Sequence, residues 1–198
     1  MKEIEIDRSN EEQLLSECGR GNKKSFEMLY KLISGRMLGF ATRFLGSFRM
    51  AEEAFQEIMI RLWVKAPLFN PQKGSAKTWI YRLAGNVMLN FIESKKRISK
   101  IEEPADSTHP AFLSAQAPES QNQGAIERFE TTEKFLSNLP EDQRMAVLLR
   151  HVEGFSIEEI ASVLECPEGT AKSKIFHGLK KLRSEIEKEK TNEKAAEM

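Results

Sequence analysis

LPEDQRMAVLLRHVEGFSIEEIASVLECPEGTAKSKIFHGLKKLR, residues Leu139 to Arg183, has the periodicity of consecutive short helices. Helices are expected at about 140–153, 156–164 and 168–189, with another before them at 126–137. Pro140 suits a first helical turn, where its missing N–H has no intrahelical partner to lose, and Gly154 suits a C-terminal stop. Ser156-Ile157-Glu158-Glu159 is an S-x-x-E capping box that opens the helix at 156. Glu159-Ile160-Ala161, followed by Leu164-Glu165-Cys166-Pro167 and a second amphipathic helix, has the spacing of a helix-turn-helix, with small Ala161 where two helices cross closely.

At 100° per residue, Ala171, Ile175, Gly178, Leu179 and Leu182 fall on one side of that second helix and form its expected core stripe. Thr170, Ser173, His177, Lys180 and Lys181 fall on the other, flanked by Lys172 and Lys174. Hydroxyl, imidazole and ammonium groups suit phosphates and base edges in a major groove. Spacing alone leaves an ordinary solvated helix face as the other reading.

Toward the N-terminus, Ser99 to Gly124 holds Pro104, Pro110 and Pro118 among Ser, Gln, Asn and Glu, with no sustained periodicity. Such a stretch reads as a flexible linker, because a structureless segment this long is unusual inside one compact domain. The expected organisation is a helical domain over 10–97, a linker over 98–125, a helix-turn-helix domain over 126–189 and a charged tail over 190–198. The fold class is all-α with two small helical domains. In the first, helices are expected at about 10–19, 23–45, 49–66 and 76–97, broken at Gly19-Arg20-Gly21, Gly46-Ser47 and the Pro67 to Gly74 loop.

Two of these helices carry more than a core stripe. In Ala76 to Arg97, the stripe is Ile80, Ala84, Val87 and Phe91, whereas Trp79, Arg82, Asn86, Asn90, Glu93 and Arg97 gather on a different face. An aromatic, two amides and two guanidiniums along one line suit single-stranded nucleic acid, by stacking, base-edge bonding and phosphate contact. Trp79 also reads as a core anchor at the helix start. The preceding loop, FNPQKGSAK from Phe69 to Lys77, has the Pro and Gly of a rigid wall beside this face. In Arg49 to Ala66, the stripe is Ala51, Phe55, Ile58, Leu62 and Ala66, while Ile60 and Val64 project opposite it among Glu53, Gln56 and Glu57. Apolar side chains framed by carboxylates suggest a protein-binding surface; single exposed apolar residues are the alternative.

Composition bounds the rest. The 198 residues carry 30 Lys+Arg against 30 Asp+Glu, yet residues 67–100 hold seven basic groups against one acidic, residues 101–130 one against six, and residues 167–183 five against one. Two basic segments separated by an acidic one fit contact with a polyanion at two places, or solvated helix faces. No run of apolar residues is long enough for a membrane span, and the N-terminus lacks the apolar region of a secretory signal. Cys18 and Cys166 have no metal-ligand or disulfide-framework spacing, so both are expected reduced, and no metal or cofactor is expected. His109, His151 and His177 have no spacing that suggests a site, and no metalloprotease, phosphate-loop or nucleophile-elbow motif occurs, so an enzyme is not expected.

The combination resembles a bacterial RNA polymerase sigma factor of the extracytoplasmic-function group. AEEAFQEIMIRLW (Ala51 to Trp63) resembles that family's polymerase-binding helix, TWIYRLAGNVMLNFIESKKR (Thr78 to Arg97) its promoter-melting and minus-ten-reading helix, and Leu139 to Arg183 its minus-thirty-five-reading domain. The resemblance implies a cytoplasmic protein without catalysis of its own that directs core RNA polymerase to promoter DNA, duplex and melted, and that has an anti-sigma partner. It implies minus-ten contacts from Phe69, Lys73, Ser75, Lys77, Trp79, Arg82, Asn86, Asn90 and Arg97. Minus-thirty-five contacts would come from Thr170, Lys172, Ser173, Lys174, Phe176, His177, Lys180 and Lys181. Glu53, Gln56, Glu57, Ile60, Arg61 and Val64 would face polymerase. Lys172, Lys174 and His177 stand where arginines are frequent, which weakens bidentate reading of guanine, and Ala171 replaces a commoner valine. A self-sufficient helix-turn-helix regulator is the competing reading; it needs paired half-sites and hence a dimer, for which the sequence offers no long heptad.

Overall fold

The computed structural model describes residues 2–102 and 134–196, all of whose regular elements are helical. They are α1 (Lys2–Gly19), α2 (Lys23–Leu45), α3 (Phe48–Lys65), α4 (Ala76–Glu102), α5 (Glu141–His151), α6 (Ile157–Val163) and α7 (Glu168–Ala196), with single 3-10 turns at Ala66–Leu68 and Pro71–Lys73. The expected linker beyond residue 102, and residues 126–133 of the expected helix at 126–137, lie outside the described residues. Residues 134–137 are helical.

Local chemistry sets each boundary. Asn22 accepts from the backbone N–H groups of Lys24 and Ser25 to start α2, and Ser47 accepts from Met50 to start α3. Ser156 and Glu159 form both halves of the capping box that starts α6. Pro140 occupies the N-cap of α5, one position before the first turn in which the sequence reading put it.

The core begins where α2 lays Leu29, Ile33, Met37, Phe40 and Phe44 against Ala51, Phe55, Ile58 and Leu62 of α3 and Ile80, Ala84 and Val87 of α4, all buried. Each large aliphatic or aromatic side chain buried in this way contributes roughly 1.5–3 kcal/mol. α1 adds Leu14, Leu15 and Cys18, and burial pushes the Cys18 thiol up to about 11. Cys166 is half-buried, and both cysteines are free thiols.

The helices α5, α6 and α7 pack on one another through Met145, Leu148, Leu149, Ile160, Ala161, Val163, Ala171 and Ile175. Their core is continuous with that of α1 to α4. The junction is a second buried face of α4, made of Tyr81, Gly85 and Met88, which the sequence wheel did not single out. Tyr81 stands edge-on between Phe40 and Phe155, with ring centroids 5.0 Å from each, and Gly85 would bring a Cβ within 3.4 Å of Met145 Cε.

α7 crosses α5 at Gly178, where an added Cβ would stand 2.7 Å from Val147 Cγ2. This approach turns Leu179, expected in the stripe, to the edge of the contact, where it is 40% exposed. Gly178→Ala is expected to lower stability by about 1 kcal/mol net, because overpacking outweighs the better helix propensity of alanine. A fall in urea midpoint with an unchanged slope checks this.

Candidate nucleic-acid interface

Three surfaces carry the residues singled out above. The first lies on α4 and the loop before it. Asn70 accepts from Gln72 N–H, and Ser75 caps α4 by accepting from Thr78 N–H at 3.2 Å. Between them Gly74 adopts φ 151°, a conformation essentially restricted to glycine. The loop thereby brings Phe69 edge-on to Trp79, with ring centroids 5.8 Å apart. Both rings are half-buried against the core, so Trp79 is an anchor that also keeps an exposed edge. Lys73, Asn86, Asn90 and Arg97 are exposed, and Arg97 lies 3.7 Å from Glu93.

Lys77 and Arg82 do not share that exposure. Lys77 Nζ donates to the Glu153 carbonyl at 2.7 Å and sits 4.3 Å from the Phe155 ring centroid. Arg82 donates through Nε to the Ser162 carbonyl at 2.9 Å and through a terminal nitrogen to the Ser162 hydroxyl at 2.6 Å. Both partners belong to the C-terminal helices. The structure therefore brings Phe69 against Trp79, strings the exposed Asn86, Asn90 and Arg97 along the same helix, and directs Lys77 and Arg82 into contacts with the C-terminal helices that no sequence signal indicates.

The second surface is α7. Thr170, Lys172, Ser173, Phe176, His177, Lys180 and Lys181 are exposed, and Phe176 is 62% exposed with its ring against that of His177. Lys172 pairs loosely with Glu168 at 3.7 Å. Lys174 is half-buried in an ion pair with Asp142, and Lys181 donates to the Asn138 carbonyl at 2.6 Å, so these two lysines also fasten α7 to its own helical group. The turn between α6 and α7 places Glu165 at φ 51°, a left-handed conformation uncommon outside glycine, which lets Pro167 start the second helix at a sharp angle.

The third surface is α3. Ile60 and Val64 are 60% and 67% exposed, opposite the buried stripe, and Arg61 donates to Glu57 at 2.6 Å beside them. Glu53 lies between Arg49 at 3.6 Å and Lys95 at 3.4 Å, and Gln56 is exposed. Leu68 is 74% exposed and continues the spacing of four from Ile60 and Val64; the sequence reading missed it because Pro67 ends the expected helix. No helix of the described residues is long and apolar enough to cross a membrane.

Comparison with known proteins identifies the family. The family Sigma-70 region 2 matches residues 29–98 and the family Sigma-70, region 4 matches residues 130–182. The RNA polymerase sigma-H factor of Pseudomonas aeruginosa is 32% identical over 180 residues, covering 86% of this chain and 91% of that protein. The ECF RNA polymerase sigma-E factor of Haemophilus influenzae is 29% identical over 188 residues, 89% of this chain and 95% of that one. Among solved structures, CnrH in complex with the cytosolic domain of CnrY superposes with a TM-score of 0.66 at 18% identity, over 90% of this chain and 97% of that chain. The sigma factor RpoE in complex with the anti-sigma factor NepR from Bartonella quintana gives 0.64 at 22% identity, over 83% and 98%. On the strength of its sequence relatives, with the all-helical fold in agreement, the chain belongs to the sigma-70 family of RNA polymerase sigma factors, in its extracytoplasmic-function group.

Proposed function

We propose that this chain binds core RNA polymerase through α3, reads the melted minus-ten strand with α4 and its preceding loop, and reads the duplex minus-thirty-five element with α7. It directs promoter-specific initiation in the cytoplasm and does no chemistry itself. One observation carries this assignment: exposed amide, hydroxyl, imidazole and cationic side chains lie on two separate helices, α4 and α7, of one chain. The protein-facing surface is a third, apolar one on α3.

Unstacking a base costs a few kcal/mol, which Phe69, Trp79 and the Asn86 amide offset by stacking and base-edge hydrogen bonds. Lys172, Ser173 and His177 act at base edges and phosphates of the major groove, and Lys172 in place of a forked guanidinium makes one point contact where arginine makes two. Lys181, bonded to a neutral carbonyl, still contributes positive potential, whereas Asp142 offsets the charge of Lys174. The chain divides functionally into residues 10–97, a linker over 98–125 whose first residues, 98–102, continue α4, residues 126–189, and a charged tail over 190–198 of which 190–196 continue α7. CnrH and RpoE are held by CnrY and by the anti-sigma factor NepR, which supports an anti-sigma partner for this chain as well.

Run-off transcription with bacterial core polymerase and fragmented genomic DNA tests the reading. Discrete start sites are expected, and Asn86→Ala should reduce them about tenfold or more, the effect of losing one base-edge contact worth about 1–3 kcal/mol. Lys172→Ala with His177→Ala should reduce promoters that depend on the upstream element. Specific duplex binding without polymerase-dependent transcripts would instead favour a self-sufficient regulator.

A further inference from the structure

The turn between α1 and α2 reads Gly19-Arg20-Gly21, and its two glycines answer different needs. Gly21 adopts φ 82°, which a side chain would strain, although a Cβ there would meet nothing within 4 Å. Gly19 closes α1 without a left-handed φ, so its backbone conformation is open to alanine. Space forbids it instead. An added Cβ would stand 2.9 Å from the Ala66 carbonyl oxygen, 3.2 Å from the carbonyl carbon and 3.3 Å from Pro67 Cα. The end of α1 therefore meets, backbone to backbone, the 3-10 turn that leads into the loop carrying Phe69, Lys73 and Ser75.

The same carbonyl sets the course of that loop. Ala66 ends α3 with its N–H bonded to the Leu62 carbonyl, and its own carbonyl accepts from Phe69 N–H at 3.1 Å to close the turn Ala66–Leu68. Phe69 then leaves in extended conformation, φ −67° and ψ 130°, with its ring edge-on to Trp79. A displaced Ala66 carbonyl displaces Phe69, because Pro67 stiffens the backbone between them. α1 cannot yield to such a shift: Leu15 and Cys18 are buried in the core, and Glu17 accepts from the Ser25 hydroxyl. Pro67 and Leu68 are exposed, so the loop is the softer side of the contact. We propose that Gly19 is a positioning residue for minus-ten reading. Its missing side chain lets the Ala66–Leu68 turn seat against α1 and so sets where Phe69 and Trp79 hold the unstacked base. The inference deepens the assignment of α4 and its preceding loop to the melted strand and rests on it; Gly19 itself touches neither DNA nor polymerase.

Promoters found by run-off transcription supply the test, with the full chain bound to core polymerase. Each minus-ten base pair is replaced in turn, and the ratio of transcripts from the original and replaced templates gives the discrimination at that position. In wild type one position should stand out, that of the base held by Phe69, Trp79 and Asn86. Gly19→Ala is expected to lower discrimination there about fivefold or more at saturating holoenzyme, since a shift on the order of a few tenths of an ångström spoils both stacking and base-edge bonding. Affinity for core polymerase and preference at the minus-thirty-five element should be retained, because the exposed face of α3 and all of α7 are untouched.

Gly21→Ala is the control. It strains the same turn through φ yet reaches no loop atom, so it should lower the urea midpoint and leave discrimination unchanged. Phe69→Ala supplies a second comparison: where Gly19 acts through the ring, Gly19→Ala adds little further loss to it. Should Gly19→Ala not fold, Pro67→Ala, on the exposed side of the same contact, carries the test, and loss of discrimination at the same position is again expected. Unchanged discrimination in the folded variant, an equal loss in Gly21→Ala, or full additivity with Phe69→Ala overturns the proposal. A wild-type holoenzyme that transcribes without preference at any minus-ten position overturns the pocket assignment and this inference with it, and a wild type that yields no transcripts counts against the sigma-factor reading itself.

Discussion

Arg144→Met is expected to lower stability by about 3 kcal/mol, a fall in melting temperature of roughly 6–12 °C for a chain of this size. Arg144 is among the few charged side chains that the described residues bury, and burial pushes its guanidinium below the ordinary arginine range. What keeps the charge there is a fork of carbonyl acceptors: Phe44 at 2.6 Å, Ser137 at 2.9 Å and Leu139 at 3.1 Å. The guanidinium also lies 5.5 Å from the Phe44 ring centroid, a cation–π distance. Phe44 is in the last turn of α2, where unsatisfied carbonyls give the helix end a partial negative charge, so one donor meets both a hydrogen-bond need and a dipole. Ser137 and Leu139 flank the turn that leads into α5. Methionine preserves much of the volume but leaves three carbonyls short of a donor, each bond to a charged group being worth about 1.5–3 kcal/mol before non-additivity. Arg144→Lys should recover only part of the loss, because an ammonium on one stem cannot fork to three acceptors. Two of the three bonds lie within the C-terminal group, and the third joins it to α2. Thermal and urea unfolding of the two variants against wild type measure it.

Legibility in the sequence followed the physics that produces each feature. The α7 stripe of Ala171, Ile175 and Gly178 is buried as its spacing requires, and Ser156 with Glu159 caps α6 because both signals are local. The same holds for α3, where burial of Ala51, Phe55, Ile58 and Leu62 leaves Ile60 and Val64 outside. Arg144, Glu153 and Ser162 were not legible. Their partners are Phe44, Tyr81 and Arg82, between 72 and 100 residues away in the chain, and no periodicity encodes a contact between two helical groups. Tyr81 and Met88 carried a usable signal, since with Gly85 they form an i, i+4, i+7 row beside the Ile80 stripe. Two adjacent apolar rows on one helix mean that it is covered twice.

Ile60→Asp with Val64→Asp is expected to weaken binding to core RNA polymerase at least about a hundredfold while leaving the unfolding midpoint unchanged. The two side chains are 60% and 67% exposed, so the folded chain gains little from them and carboxylates there meet water. In the complex proposed for α3 they are the apolar centre of a patch whose rim is Gln56, Glu57 and Arg61. The Glu57 to Arg61 pair fixes that rim before the partner arrives. Burying each aliphatic side chain is worth roughly 1.5–3 kcal/mol, and forcing an unpaired carboxylate into the same place costs more, so the pair exceeds the 2.8 kcal/mol or so that a hundredfold represents. Glu53 is a poorer probe, because its bridge to Lys95 joins α3 to α4 and its loss would disturb the helix assigned to the melted strand. The paired aspartates leave that bridge in place, so binding of single-stranded DNA by the free chain should be retained while polymerase affinity, read by fluorescence anisotropy, collapses. Undiminished polymerase binding would remove α3 from the interface and leave Ile60, Val64 and Leu68 as an exposed row with another partner.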